Sequence, residues 1–146
     1  MTQAIHNIFI QGPIPPGLVA ESISKHSTKT AIGAHSIFLG QIRADQVDGK
    51  TVAAIEYTCN QDMALQQMAD IRAEVFNKYE LSCMHVYHSE GYIAAGEICF
   101  FVFTSAAHRK AAMAACEELV ERIKKELPIW GKEIFEDESH QWKINR

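Results

Sequence analysis

Two long stretches of the chain carry apolar residues at helical spacing. Over residues 60–80, Ala64, Met68, Ile71, Val75 and Tyr79 recur every three or four positions and form one stripe, which predicts an amphipathic helix. Asn60 is a suitable N-cap for it. Over 107–127, Ala112, Cys116, Leu119, Val120, Ile123 and Leu127 form a second stripe, and Pro128 ends that helix. The remaining apolar runs are shorter and read as strands over 5–10, 35–43, 51–58, 81–88, 98–103 and 129–135. The run over 98–103 has no polar position, so it predicts a strand covered on both faces. Gly12-Pro13 and Pro15-Pro16-Gly17 punctuate the beginning of the chain, and a short helix over 18–24 follows. Asp48-Gly49 signals a hairpin with 51–58 as the return strand, while Glu90-Gly91 and Ala95-Gly96 signal turns. Helices and strands interleave around an early hairpin, which predicts an α+β fold with two main amphipathic helices packed on mixed and antiparallel strands.

Composition narrows the picture. The chain has 146 residues, 47% apolar and 22% charged, which is one domain's worth of ordinary globular sequence. No apolar run approaches the length needed to span a bilayer, and residues 1–11 lack the pattern of a secretory signal. These features predict a soluble, cytoplasmic protein without membrane attachment. The net charge of −4 argues against nucleic-acid binding, which needs a basic field. The charge is uneven, however: residues 1–104 hold 6 basic and 10 acidic side chains, and residues 105–146 hold 8 of each. The C-terminal third could therefore hold a small anion. Cys59, Cys83, Cys99 and Cys116 form no CxxC pair and lie in apolar stretches, which suits reduced, buried thiols.

Several places could carry chemistry. Thr104-Ser105-Ala106-Ala107-His108-Arg109 follows the most apolar strand and opens the second helix. It reads either as a Thr104 or Ser105 cap with solvated basic residues, or as an anion site on the helix N-terminus. In Phe38-Leu39-Gly40-Gln41-Ile42-Arg43, glycine within a strand suggests a bulge. Arg43 there is either a solvated strand-end residue or a fork for phosphate or carboxylate. On the second helix, Lys124 falls roughly 80° from the centre of the stripe, on its shoulder. It either pairs with Glu121 or lines a cleft beside the helix. Trp130 and Phe135 read as core. His85 and His88 form an H-x-x-H, but on a strand they point to opposite faces, so no metal site is predicted. There is no P-loop, no G-x-G-x-x-G and no G-x-S-x-G elbow.

Taken in order, these pieces resemble the large, catalytic subunit of molybdopterin synthase. The carriers are Phe38-x-Gly40-x-Ile42-Arg43, Glu56-Tyr57 before a helix start at Met63-Ala64, and Gly96-Glu97 before an apolar strand. Ser105-Ala-Ala-His108-Arg109 follows, then Lys124 with Pro128-Ile129-Trp130. The resemblance covers residues 35–146. It implies an α/β-hammerhead-type domain with an added β subdomain, spanning 1–146 as one unit and forming a homodimer. It implies a partner, a small ubiquitin-like subunit whose Gly-Gly tail carries a thiocarboxylate. It implies transfer of two sulfurs to cyclic pyranopterin monophosphate, making the dithiolene of molybdopterin, without a resident cofactor or metal. Lys124 matches the family's key lysine, near the arriving tail. Arg43, His108, Arg109 and Arg146 match positions that hold or face the substrate, with His108 and Arg109 serving the neighbouring subunit's site. The sulfur comes from the partner, so no cysteine needs to be a nucleophile.

One departure stands out. The family usually has lysine directly after the Trp of Pro-x-Trp, where this chain has Gly131, with Lys132 next. Adjacent strand residues face opposite ways. Lys132 therefore replaces that lysine only if Gly131 allows a bulge, and this is the expectation. The competing reading is a non-catalytic module of the same fold that docks a ubiquitin-like tail, with Gly131 marking lost activity. An unrelated hydrolase using His108 as a base lacks a convincing nucleophile or orienting carboxylate.

Overall fold

The computed structural model describes residues 7–144. The two predicted helices form where their stripes place them. Helix α2 (Gln61–Tyr79) buries Ala64, Met68, Ile71 and Val75, and the Asn60 side chain accepts the Met63 N–H at 3.2 Å. Helix α3 (Arg109–Glu126) buries Ala112, Ala115, Cys116, Leu119, Val120 and Ile123, and it stops just before Pro128. The two helices pack on each other and on one side of the strands. Each large aliphatic side chain buried there contributes roughly 1.5–3 kcal/mol. A short helix α1 (Pro16–Lys25) lies nearer the N-terminus, with proline in its first turn, where a missing N–H costs nothing.

The strands are β1 (Phe9–Gln11), β2 (Ala34–Gln41), β3 (Gln46–Val47), β4 (Lys50–Cys59), β5 (Cys83–Ala94), β6 (Ile98–Ala106), β7 (Ile129–Phe135) and β8 (His140–Trp142). Their order is β2-β6-β5-β4-β7-β8, antiparallel throughout, with β3 paired to β4 and β1 added to β5 in parallel. The α+β class and the two-helix packing thus match the sequence expectation. Of the expected first strand over 5–10, residues 5 and 6 lie outside the described residues.

Strand β6 is the centre of the molecule. All its residues after Ile98 are buried. Alternate positions serve two cores: Phe100 and Val102 join the large core under α2 and α3, while Phe101 and Phe103 join Ile14 in a smaller one toward α1. Coverage on both faces is why no polar residue interrupts the run.

Three expectations are corrected. The hairpin at Asp48-Gly49 exists, with both residues at positive φ, but it joins β4 only to the two-residue β3. Strand β2 instead pairs with β6, far along the chain, and β4 lies between β5 and β7. Glu90-Gly91 is not a turn. Strand β5 runs through it, pairing with β6 over residues 83–88 and with β4 over residues 91–94. Gly91 at φ +91° lets the strand bend from one neighbour to the other, a conformation strained for other residues. Thr104 and Ser105 do not cap α3, because both lie buried in β6. The Thr104 hydroxyl donates to the Ala112 carbonyl at 2.7 Å, and the Ser105 hydroxyl bonds His35 Nδ1 at 2.7 Å.

Candidate active site

The C-terminal end of α3, the end of β2 and the start of β7 enclose a cavity of about 180 Å³. Its floor is Tyr57, His88, Cys99 and Phe100, and its rim includes Gly40, Lys124, Trp130, Gly131 and Lys143. A larger groove of about 950 Å³ shares Gly40, Gln41, Lys124 and Lys143 with the cavity and extends past Arg43 and Asp45. Lys124 therefore stands where groove and cavity meet. It belongs to the last turn of α3, at the negative end of the helix dipole, and next to buried Ile123. Lys124 thus lines a cleft beside the helix, one of the two readings of the shoulder lysine. Gly40 carries the expected register shift against β6, and a Cβ there would meet Phe100 Cβ at 3.1 Å.

The floor is dry. Burial lowers the His88 pKa from 6.5 to about 4, and the nearby Lys124 charge acts in the same direction. His88 Nδ1 pairs with the Ser89 carbonyl at 2.7 Å, so the ring is a fixed, neutral wall at neutral pH. Burial also raises the Tyr57 phenol, whose hydroxyl lies 3.9 Å from Cys99 Sγ, and it raises the Cys99 thiol. At the margin, burial and then the Glu90 carboxylate push the Cys59 thiol up to about 12. The four cysteines are unpaired, and all but half-buried Cys59 are buried, as the sequence suggested.

The His88 shift has a consequence for stability. The unfolded chain takes up this proton near pH 6.5 and the folded chain only near pH 4. Between those values the unfolded state binds more protons, so stability is present at neutral pH and falls as the pH drops. The expected loss is about 3 kcal/mol from this residue. Thermal unfolding from pH 7 to pH 4 checks it: His88→Gln should flatten that dependence, and an unchanged slope contradicts the assignment.

The structure separates the remaining sequence candidates. Arg43 lies in the loop after β2, on the groove, with its side chain 84% exposed and paired to Asp45 at 2.7 Å. His108 is the N-cap residue of α3 without a side-chain cap bond, and Arg109 is the first helical residue. Both are exposed, and Arg109 lines a separate surface depression with Ile37, Phe38 and Met113 along β2. Arg109 and Lys124 are fifteen residues apart on α3, roughly 22 Å along its axis. One chain does not bring them to one small ligand. Arg146 lies outside the described residues.

Lys132 is not in the cavity. The β4–β7 register is continuous from Ala54↔Ile134 to Cys59↔Ile129, so Gly131 makes no bulge. Gly131 lines the cavity and Glu133 the groove, whereas Lys132 lines neither. Lys132 sits 3.4 Å from Glu56, its cross-strand partner. Trp130 is not core either: it is 52% exposed and forms one wall of the cavity. Phe135 is core as expected.

Sequence reasoning missed Lys143, which follows β8 and lines both the cavity and the groove. It lay in an apparently featureless polar tail. The available signal was period-two alternation back from Trp142, which needs the β7–β8 pairing to be known. His85 and His88 do face opposite ways, but His85 meets Cys83 and His26, with donor atoms all within 4.8 Å. His26 Nε2 and His85 Nε2 are 3.2 Å apart, and the Lys29 ammonium already donates to Cys83 Sγ at 3.0 Å. The Lys29 ammonium beside the sulfur opposes a second cation there, so this reads as a hydrogen-bonded cluster.

Comparison with known proteins gives a consistent picture. A family model described as "MoaE protein" matches residues 15–126. The molybdopterin synthase catalytic subunit of Bacillus subtilis is 39% identical over 122 residues, covering 84% of this chain and 76% of that one. That of Aspergillus clavatus is 32% identical over 146 residues, covering 100% of this chain and 73% of that one. The crystal structure of molybdopterin synthase from Staphylococcus aureus superposes with a TM-score of 0.80 at 29% identity, covering 93% of this chain and 95% of that one. A complex of subunits 1 and 2 of molybdopterin-converting factor from Helicobacter pylori shares the fold, with a TM-score of 0.79 at 17% identity over 94% of this chain and 90% of that one. Among the described residues, no helix is long and apolar enough to cross a membrane.

Proposed function

Because the chain belongs to the MoaE protein family, whose relatives are molybdopterin synthase catalytic subunits of molybdenum cofactor biosynthesis, we propose that it transfers sulfur to cyclic pyranopterin monophosphate. The sulfur donor is the thiocarboxylated C-terminus of a small ubiquitin-like subunit. Two copies of this chain form the central dimer of a cytoplasmic complex.

The observation that carries the reading is Lys124, which lines both the small cavity and the groove that opens into it. A slender tail fits the groove, with its last carbonyl beside the Lys124 ammonium. The thiocarboxylate sulfur bonds to a substrate carbon, and the displaced oxygen leaves with its electron pair. Water then cleaves the thioester, so the tail departs as a carboxylate and the sulfur stays on the pterin. Negative charge grows on the tail carbonyl oxygen during that cleavage, and a cation is most effective there, above a largely buried floor. Lys124 can also give a proton to the departing oxygen. Arg43 on the groove meets the anionic substrate or tail. His108 and Arg109 act on the site of the other copy, since they lie far from their own Lys124.

The second reading, a module that only docks the tail, is favoured by Gly131, which puts no side chain on the cavity rim. The test is reconstitution: protein, thiocarboxylated partner and cyclic pyranopterin monophosphate are mixed and dithiolene product is assayed. Product supports sulfur transfer; docking without product supports the module.

A further inference from the structure

We propose that Lys143 supplies the second cation of this site, contacting the anionic substrate opposite Lys124. The inference rests on the sulfur-transfer reading above. Its basis is a juxtaposition across two strands. Trp142 pairs with Lys132, and the Lys143 N–H donates to the Gly131 carbonyl at 2.8 Å. Lys143 is therefore tied beside Gly131, and neighbours across a strand pair share a face. That face belongs to the cavity, the one from which Lys132 is turned away. The sequence shift of one residue that excludes Lys132 is the same alternation that admits Lys143.

Gly131 makes room for it. A Cβ on residue 131 would lie 3.0 Å from Ile55 Cγ2 and 3.1 Å from Tyr57 Cε1, so any side chain there would press on the cavity wall. With glycine, the long stem of Lys143 crosses that strip of sheet and delivers its charge to the cavity, as lysine stems commonly do over apolar surface. Among the described residues, those lining the cavity include two lysines and no carboxylate, while the adjoining groove adds Arg43, Asp45 and Glu133. Both ammonium groups act on Cys99, opposing the upward push of burial on its thiol. Two like charges at one small cavity repel one another, and an anion between them relieves that cost. A phosphorylated pterin meeting a thiocarboxylate brings two negative charges to this point. Lys124 lies nearer the carbonyl of the tail, and Lys143 neutralises the substrate as the carbon–sulfur bond forms.

The experiment uses the reconstituted complex with four proteins: wild type, Lys143→Ala, Lys143→Arg and Lys132→Ala. Lys143→Ala should lose about 10- to 100-fold in kcat/KM, a range typical of one charged group at a reacting centre. Its affinity for the small subunit and its thermal midpoint should match wild type, because Lys143 is exposed and its backbone bond to Gly131 remains. Lys143→Arg should recover most of the loss, and Lys132→Ala should behave as wild type. Normal turnover of Lys143→Ala, equal loss in Lys143→Arg, or an equal loss in Lys132→Ala overturns the assignment. Absence of product from wild type is a different failure: it removes the sulfur-transfer reading, and this inference falls with it.

Discussion

Lys124→Ala is expected to lower turnover by about 10²- to 10³-fold, the usual cost of removing one charge-stabilising group from a reacting centre. Folding should be almost untouched. Lys124 is exposed on the last turn of α3, whereas Ile123 and Leu127 on either side of it are 2% and 6% exposed and carry the packing. Loss of a surface side chain at such a place changes stability by about 0.5 kcal/mol or less. The lysine does gain some favourable energy at the helix C-terminus, but Lys125 remains in the same turn. The variant should also still dock its small subunit. Rates measured beside a thermal melt and a binding titration separate these effects. A folded, docking-competent Lys124→Ala with near-normal turnover refutes the role given to Lys124.

The second large effect concerns the other end of α3. Arg109→Ala should weaken substrate use severely, because its guanidinium is exposed at a helix start suited to phosphate. In one chain it stands roughly 22 Å along the axis from Lys124. If the dimer brings each Arg109 to the Lys124 of the other copy, two inactive variants complement each other. A mixed dimer of Arg109→Ala and Lys124→Ala holds one site with both residues intact. Random mixing of equal amounts then restores about a quarter of wild-type turnover, since half the dimers are mixed and each has one good site. No recovery would mean that Arg109 and Lys124 never act on one substrate, and that His108 and Arg109 do something else at that surface.

Both main helices were legible because local pattern decides them. Each stripe in α2 and α3 needs only residues three and four apart. Strand β6 was legible for a related reason: cores on both faces leave no polar position to mark a period. What failed was non-local. Nothing local says that β2 pairs with β6 rather than with the strand after the hairpin, because antiparallel neighbours need not be consecutive. Gly91 reads as a turn by composition, yet the same positive φ serves a strand that changes neighbours. Thr104 and Ser105 look like caps in the sequence. In the fold, one hydroxyl instead satisfies a carbonyl of α3 and the other a histidine of β2.

The candidate site followed the same division. Lys124 could be placed from the geometry of a single helix. Assigning Lys132 required a bulge, and the glycine that would permit one does not make one. Lys143 could be found only by knowing that β8 folds back on β7 and carries its alternation into the cavity. Trp130 looked like core because it is large and apolar. A cavity wall uses the same kind of residue.

The most direct measurement of the central claim is a single-turnover reconstitution with isotopically labelled sulfur in the thiocarboxylate of the small subunit. The purified protein, that partner and cyclic pyranopterin monophosphate are mixed, and the pterin product is followed together with the label. The account predicts dithiolene product carrying the partner's sulfur, with the partner released as its carboxylate. A stable complex in which the label stays on the partner and the pterin is unchanged would contradict it, and would make the protein a docking module.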